Sequence, residues 1–180
     1  MMSTILTLRQ RLEEWEKSWS SYCQQLVDKS KEQVNSIDPI CYFSHSLSLS
    51  QYKNELNGLI SSFYIHNCLK EPIEHLSLCL KIDASMPYQF SGKYQAANDD
   101  KKNGQAWIQV NPDQAKENEL WFTYQAPDSL KISEKIIFPE FSITWRNEPD
   151  YKLSLTGFLY TENAPDGLVV NNPFQLNMSS

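Results

Sequence analysis

The spacing of apolar side chains changes abruptly at Asp38-Pro39, and this change constrains the fold more than any other feature of the sequence. Before the break, apolar residues recur at alternating gaps of three and four. After it, they alternate one by one with polar residues. The first spacing lines one stripe of an α-helix, whereas the second lines one face of a β-strand. The sequence therefore predicts an amphipathic helix within residues 1–37 and an antiparallel β-sandwich over residues 38–180.

The N-terminal segment has the pattern of a coiled-coil seam. No Gly or Pro interrupts it between Ser3 and Asn35. The seam consists of Ile5, Leu8, Leu12, Trp15, Trp19, Tyr22 and Leu26, which fall at the a and d positions of a heptad. We expect the helix to end before Pro39, because the residue that precedes a proline avoids the helical region.

Two kinds of partner fit this seam. A second copy of the chain would bring Arg11 at a g position near Glu16 at the following e position, which is an attractive pair in a parallel dimer. Alternatively, the helix docks on its own sandwich or on a different protein. We prefer docking, because Trp15 and Trp19 are bulky as facing knobs and three heptads barely hold a coiled coil. The predicted partner is therefore another protein, or the chain itself, through the helix.

The remainder of the chain predicts eight or nine short strands separated by turn residues, which is typical of a sandwich. The alternating positions are Phe43, His45, Leu47 and Leu49; Leu59, Ser61, Phe63 and Ile65; Leu76, Leu78, Leu80 and Ile82; Tyr88, Phe90 and Gly92; Ala106, Ile108 and Val110; Leu120, Phe122 and Tyr124; Ile136 and Phe138; Phe141, Ile143 and Trp145; Leu153, Leu155, Gly157 and Leu159; and Phe174, Leu176 and Met178.

Net charge narrows the choice of partners. The chain carries a formal charge of -6, and its acid surplus lies beyond the balanced segment from Ser3 to Asn35. Nucleic acid and anionic membranes are therefore not expected as partners, because both require a basic face. We expect no signal peptide, since Arg9 and Arg11 follow the first apolar residues, and no apolar run is long enough to span a bilayer.

This pattern predicts a cytoplasmic protein with its four cysteines reduced. Export without a signal and assembly into a larger particle stay open.

No catalytic motif is recognisable, so we expect a non-enzymatic protein with no cofactor and no metal. One arrangement of histidines and cysteines could still form a reactive site. A hairpin around Pro72 would bring either His66 beside His75 or Cys68 beside Cys79, and either pair seeds a metal site or a disulfide. We prefer an incidental surface pair, since no zinc-type spacing is present. A metal-dependent hydrolase is the corresponding third hypothesis for function.

Aromatic residues give the strongest indication of a binding face. Trp107, Trp121, Phe158 and Tyr160 alternate with residues predicted to point inward, so we expect them on the outer surface. Three explanations compete: the N-terminal helix covers them, another protein binds them, or a sugar stacks on Trp107 and Trp121. We prefer the first, which does not exclude the second, because a docked helix can extend the interface. The sequence predicts a protein-interaction or structural module, with the helix for assembly or docking and the sandwich for recognition. The alternative is a carbohydrate-binding module.

Overall fold

Strands account for most of the structure. The computed structural model describes residues 38–96, 107–111, 115–125 and 129–179, and these ranges contain strands and no helix. The strands are β1 Ile40–Ser48, β2 Leu56–His66, β3 Leu76–Ala84, β4 Tyr88–Gly92, β5 Trp107–Val110, β6 Glu119–Tyr124, β7 Lys135–Arg146, β8 Lys152–Thr161, β9 Ala164–Val169 and β10 Phe174–Asn177. The predicted helix and its seam lie outside the described residues, so the helix and the domain boundary stay predictions.

The strands form two antiparallel sheets. One has the order β1-β2-β7-β4, and the other has the order β10-β8-β3-β6-β5, with β9 also paired to β8. The prediction of a mainly β, antiparallel fold is therefore confirmed. The described ranges hold ten strands rather than eight or nine. We missed β9 because Pro165, Asp166 and Gly167 within it are residues typical of turns.

The core lies between the two sheets and is built from the predicted alternation. Leu76, Leu78, Leu80 and Ile82 on β3 are at most 2% exposed. The facing sheet contributes Phe138, whose ring centroid lies 4.5 Å from that of Phe122. Burying these side chains removes apolar surface from water, which is the main favourable contribution to folding.

The middle of β7 contains a β-bulge at Pro139. We predicted two separate runs there, one with Ile136 and Phe138 and one from Phe141 to Trp145, but the structure has one continuous strand. Phe138 pairs with Phe63 and Phe141 pairs with Ser61, so two residues of β7 oppose one of β2. The bulge keeps both halves of the strand facing the core, and it accommodates a proline that has no N–H for the ladder.

β1 is buried over only part of its length. Phe43 is 3% exposed, but Leu47 and Leu49 are 41% and 45% exposed. The prediction that the apolar face continues through these leucines is therefore wrong. β1 is an edge strand, and the neighbouring edge strand β10, which contacts β1 through Phe174 and His45, has only four residues. Within the described ranges, no strand of the other sheet faces the far end of β1.

β2 and β3 form no hairpin around Pro72, because the two strands belong to different sheets. Neither the His66–His75 pair nor the Cys68–Cys79 pair forms, and both cysteines are free. The connection crosses between the sheets and is fixed by the fully buried Asn67. The Asn67 side-chain amide donates hydrogen bonds to the backbone carbonyls of Glu71, at 2.9 Å, and Leu130, at 3.0 Å.

Candidate interaction site

The structure places Trp107 in the core, so the prediction that it points outward is wrong. Its side chain is 2% exposed, its Nε1 donates a hydrogen bond to the carbonyl of Ile137 at 2.9 Å, and its ring packs against Phe138 at 5.3 Å. Ile108 and Val110 face the other way. The indole buries more area than either aliphatic side chain and finds an acceptor for its N–H, which decides the direction of this short strand.

Burial of Trp107 also removes the sugar platform that the carbohydrate alternative needs. A flat stacking site would require Trp107 and Trp121 on the same open face. Trp121 lies on the outer surface of the six-stranded sheet, whereas Trp107 points into the sandwich. No second tryptophan of the described residues joins Trp121 there, since the other one, Trp145, is also buried.

The other three predicted residues come together on the outer face of the six-stranded sheet. The register aligns one row across five strands in the order Val110, Trp121, Cys79, Phe158 and Val169. The adjacent row contains Ile108 and Tyr160, together with Thr123 and Ser77. We call the seven residues Ile108, Val110, Trp121, Cys79, Phe158, Tyr160 and Val169 the apolar band.

The rings of the band are held in place by their neighbours. The centroids of Trp121 and Tyr160 are 5.0 Å apart, and Trp121 Nε1 donates a hydrogen bond to Glu119 Oε2 at 3.2 Å. Tyr160 lies over Gly167, where an added Cβ would be 2.8 Å from the ring and where φ is +85°. Glycine therefore permits both the close approach and the backbone conformation. The aromatic surface is preorganised.

Cys79 forms the base of the band and behaves as an apolar residue. It is 2% exposed, and it pairs with Trp121 on one side and Phe158 on the other. Burial, assisted by the negative charge of Glu119, raises the pKa of the Cys79 thiol to about 12. The thiol stays protonated at neutral pH, so Cys79 is a packing residue and not a nucleophile.

Acidic side chains border the band at both ends of the strands. At one end Glu119 pairs in register with Lys81, and Asp83 lies 3.5 Å from the Lys81 ammonium. At the other end His75 Nε2 lies 3.5 Å from Glu162 Oε1, and Glu74 places a carboxylate oxygen within 4.8 Å of both. The borders therefore carry four carboxylates, with Lys81 beside Glu119 and Asp83, and with Lys152 lining the same surface depression as Asp83.

The histidines and cysteines of the described residues do not assemble a hydrolytic centre. His45 Nδ1 lies 3.1 Å from Ser61 Oγ, but Ser61 is 1% exposed and no substrate reaches it. Desolvation lowers the pKa of His45, whose ring packs against Phe43 and Phe174. The pair is a hydrogen bond within the core. Glu74, His75 and Glu162 form an exposed cluster on the surface, without a cysteine.

The four-stranded sheet has an apolar surface of its own that the sequence pattern did not reveal. Tyr42 and Tyr64 stack with ring centroids 5.1 Å apart and an interplanar angle of 5°. Ile60 and Ile137 on the same face are 51% and 47% exposed. The signal was present in the polar phase of β1 and β2, where tyrosine and isoleucine interrupt a run of serines. Tyr42, Tyr64 and Ile137 pair in register and form a short row across three strands, whereas Ile60 pairs with Ser46 and Ser142.

A cleft of about 570 Å³ lies at one end of the four-stranded sheet. Its walls include Leu56, Met86, Tyr88, Trp145 and Arg146. None of these residues belongs to the apolar band or to its acidic borders, so the cleft is a separate feature of the surface.

In the part of the chain that the structure describes, no helix has the length and hydropathy needed to cross a membrane.

Comparison with known proteins gives distant structural neighbours but no match by sequence. No family model and no curated protein match the sequence. Among solved structures, a cohesin module from a family 33 glycoside hydrolase of Clostridium perfringens aligns with 79% of this chain and 98% of its own. The TM-score is 0.40 and the sequence identity is 5%. At this level the likeness carries no information about function.

Proposed function

We propose that this protein is a non-enzymatic recognition module that binds another protein through the apolar band. The observation that carries the proposal is the continuous row of apolar side chains on the outer surface of a sheet. Val169 is 54% exposed, and Trp121, Phe158 and Tyr160 are each partly exposed. Contiguous apolar patches of this kind mark interaction surfaces, and Trp and Tyr supply much of the binding energy in protein interfaces.

Preorganisation supports the same proposal. The Trp121 ring is fixed by its hydrogen bond to Glu119 and by contact with Tyr160. Ordering flexible side chains costs binding free energy, and rings that are already ordered avoid most of that cost. The band is therefore suited to contact a partner without rearrangement.

The predicted N-terminal helix belongs to this proposal as a second element. Its a/d seam would supply an assembly or adaptor surface that binds another protein or a second copy of the chain. We place this activity in the cytoplasm.

Site-specific photo-cross-linking in the native cell tests the proposal. A benzophenone amino acid at Thr123, beside Trp121 in the band, should give a discrete covalent adduct with one partner protein. The same amino acid at Ser62, on the outer face of the four-stranded sheet, is the matched control and should give no such adduct. The proposal fails if Thr123 gives no adduct, or if both positions give the same set of adducts.

A further inference from the structure

We infer that the partner presents an amphipathic α-helix whose apolar stripe is flanked on both sides by lysine or arginine. This inference rests on the proposed function and adds the chemistry of the partner. It comes from the arrangement of charge around the band: the two central rows carry apolar residues with the neutral Thr123 and Ser77, and carboxylates lie beyond the rows at both ends.

The dimensions of the band fit a helix. His75 and Lys81 lie on the same strand, six residues apart, so the two acidic borders are separated by about 20 Å. A helix with its side chains is about 10–12 Å wide, which leaves room for a basic side chain on each side. The band crosses five strands, or about 19 Å, and a helix of about 13 residues covers that distance.

The borders favour a cation over an anion. Lys81 is paired with Asp83, and among the described residues Glu119 accepts hydrogen bonds from two neutral donors, the indole N–H of Trp121 and the backbone N–H of Lys116. At the opposite border Glu74, His75 and Glu162 form an exposed cluster, and the Glu162 side chain is 48% exposed. An approaching lysine or arginine gains attraction at both borders, whereas an acidic flank is repelled.

Two synthetic peptides test this inference on the full-length chain. Both are helices of about 18 residues with the same leucine and tryptophan stripe. One has lysine flanks and the other has glutamate flanks. We expect the lysine peptide to bind at least about tenfold more tightly, as measured by fluorescence anisotropy, and this ratio should shrink when salt rises from about 0.05 M to about 0.5 M.

Variants separate the inference from the proposed function. Glu119→Gln with Glu162→Gln should reduce the preference for the lysine peptide, while Glu55→Gln with Glu140→Gln, outside the borders, should not. Trp121→Thr, with its fold checked by circular dichroism, should abolish binding of both peptides.

If the two peptides bind equally tightly and Trp121→Thr abolishes this binding, the charge requirement is overturned, and the band remains a protein-binding face. Binding that Trp121→Thr does not affect would overturn the site as well. If neither peptide binds, the partner is not a helix of this kind. The same conclusion follows if ultracentrifugation shows a concentration-dependent dimer of the chain and Trp121→Thr dissociates this dimer. In that case the band would bind a second copy.

Discussion

Trp121 on β6 and Tyr160 on β8 meet across β3, with ring centroids 5.0 Å apart, and Cys79 on β3 lies buried beneath them. A cysteine on the outer face of a sheet is thereby converted into part of an apolar layer. The contact links three strands on the solvent side of the sheet.

Thiol labelling tests this cover directly. We expect N-ethylmaleimide to modify the partly exposed Cys68 quickly at about pH 8 and Cys79 very slowly, because burial raises the pKa of Cys79 to about 12 and blocks the reagent. Mass spectrometry of the digested protein measures both rates. Trp121→Ala should accelerate labelling at Cys79 and leave the buried Cys41 as an unchanged control. Equal rates at Cys68 and Cys79 in the unaltered protein would contradict the structure.

Paired substitutions on β3 test the register of the central strand. Leu78→Asp should unfold the protein, because it places a carboxylate in a position that is 0% exposed. Ser77→Asp, on the outer face, should cost within about 1 kcal/mol of unfolding free energy. Urea unfolding of the two variants measures the difference. Similar losses in both would mean that the inner and outer faces of β3 have been assigned the wrong way round.

Gly157 is required by the closeness of the opposite sheet. Alanine at this position would place its Cβ 2.5 Å from the Phe63 ring and 3.0 Å from the Phe43 ring. We expect Gly157→Ala to lower the free energy of unfolding by about 1–3 kcal/mol, the usual cost of overpacking a core.

Gly58→Ala is the matched control for that substitution. Its added Cβ would meet only the Thr144 side chain, at 3.9 Å, so its effect should stay within about 0.5 kcal/mol. Thermal and urea unfolding give both values. A Gly157→Ala protein as stable as the Gly58→Ala protein would show that the two sheets are farther apart than described.

The environment of His45 predicts a loss of stability in acid. Burial lowers the pKa of His45 below its ordinary value of 6.5, so the unfolded chain binds a proton more readily than the folded chain does. This contribution to the free energy of unfolding is therefore complete above about pH 6.5 and is lost as the pH falls below it. An NMR titration of the His45 ring should show a midpoint below 6.5.

Unfolding in urea at about pH 5 and about pH 7 completes the test of His45. His45→Gln keeps a hydrogen-bonding side chain near Ser61 and cannot titrate, so it should show a smaller difference between the two pH values. A His45 midpoint at or above the ordinary value, or an identical pH dependence in the variant, would contradict a desolvated imidazole.

The local pattern of the sequence determined the class of the fold and most of the core. Alternation on β2, β3 and β8 assigned their inward residues correctly, because one face of each strand is mostly apolar and a slip of one residue would expose that face. The same alternation predicted that Trp121, Phe158 and Tyr160 point away from the core. For these residues the period of two was enough.

Tertiary structure decided the direction of Trp107, the pairing of β2 and β3, and the charge around the band. Trp107 points inward because the Ile137 carbonyl, thirty residues away, accepts its N–H. β2 and β3 lie in different sheets, and the hydrogen bonds of the buried Asn67 amide fix the connection that crosses between the sheets. Glu119 and Glu162 border one surface only because β6 and β8 flank β3. Alternation predicts on which face of its own strand a side chain lies, whereas the identity of its neighbours depends on contacts between segments far apart in the chain.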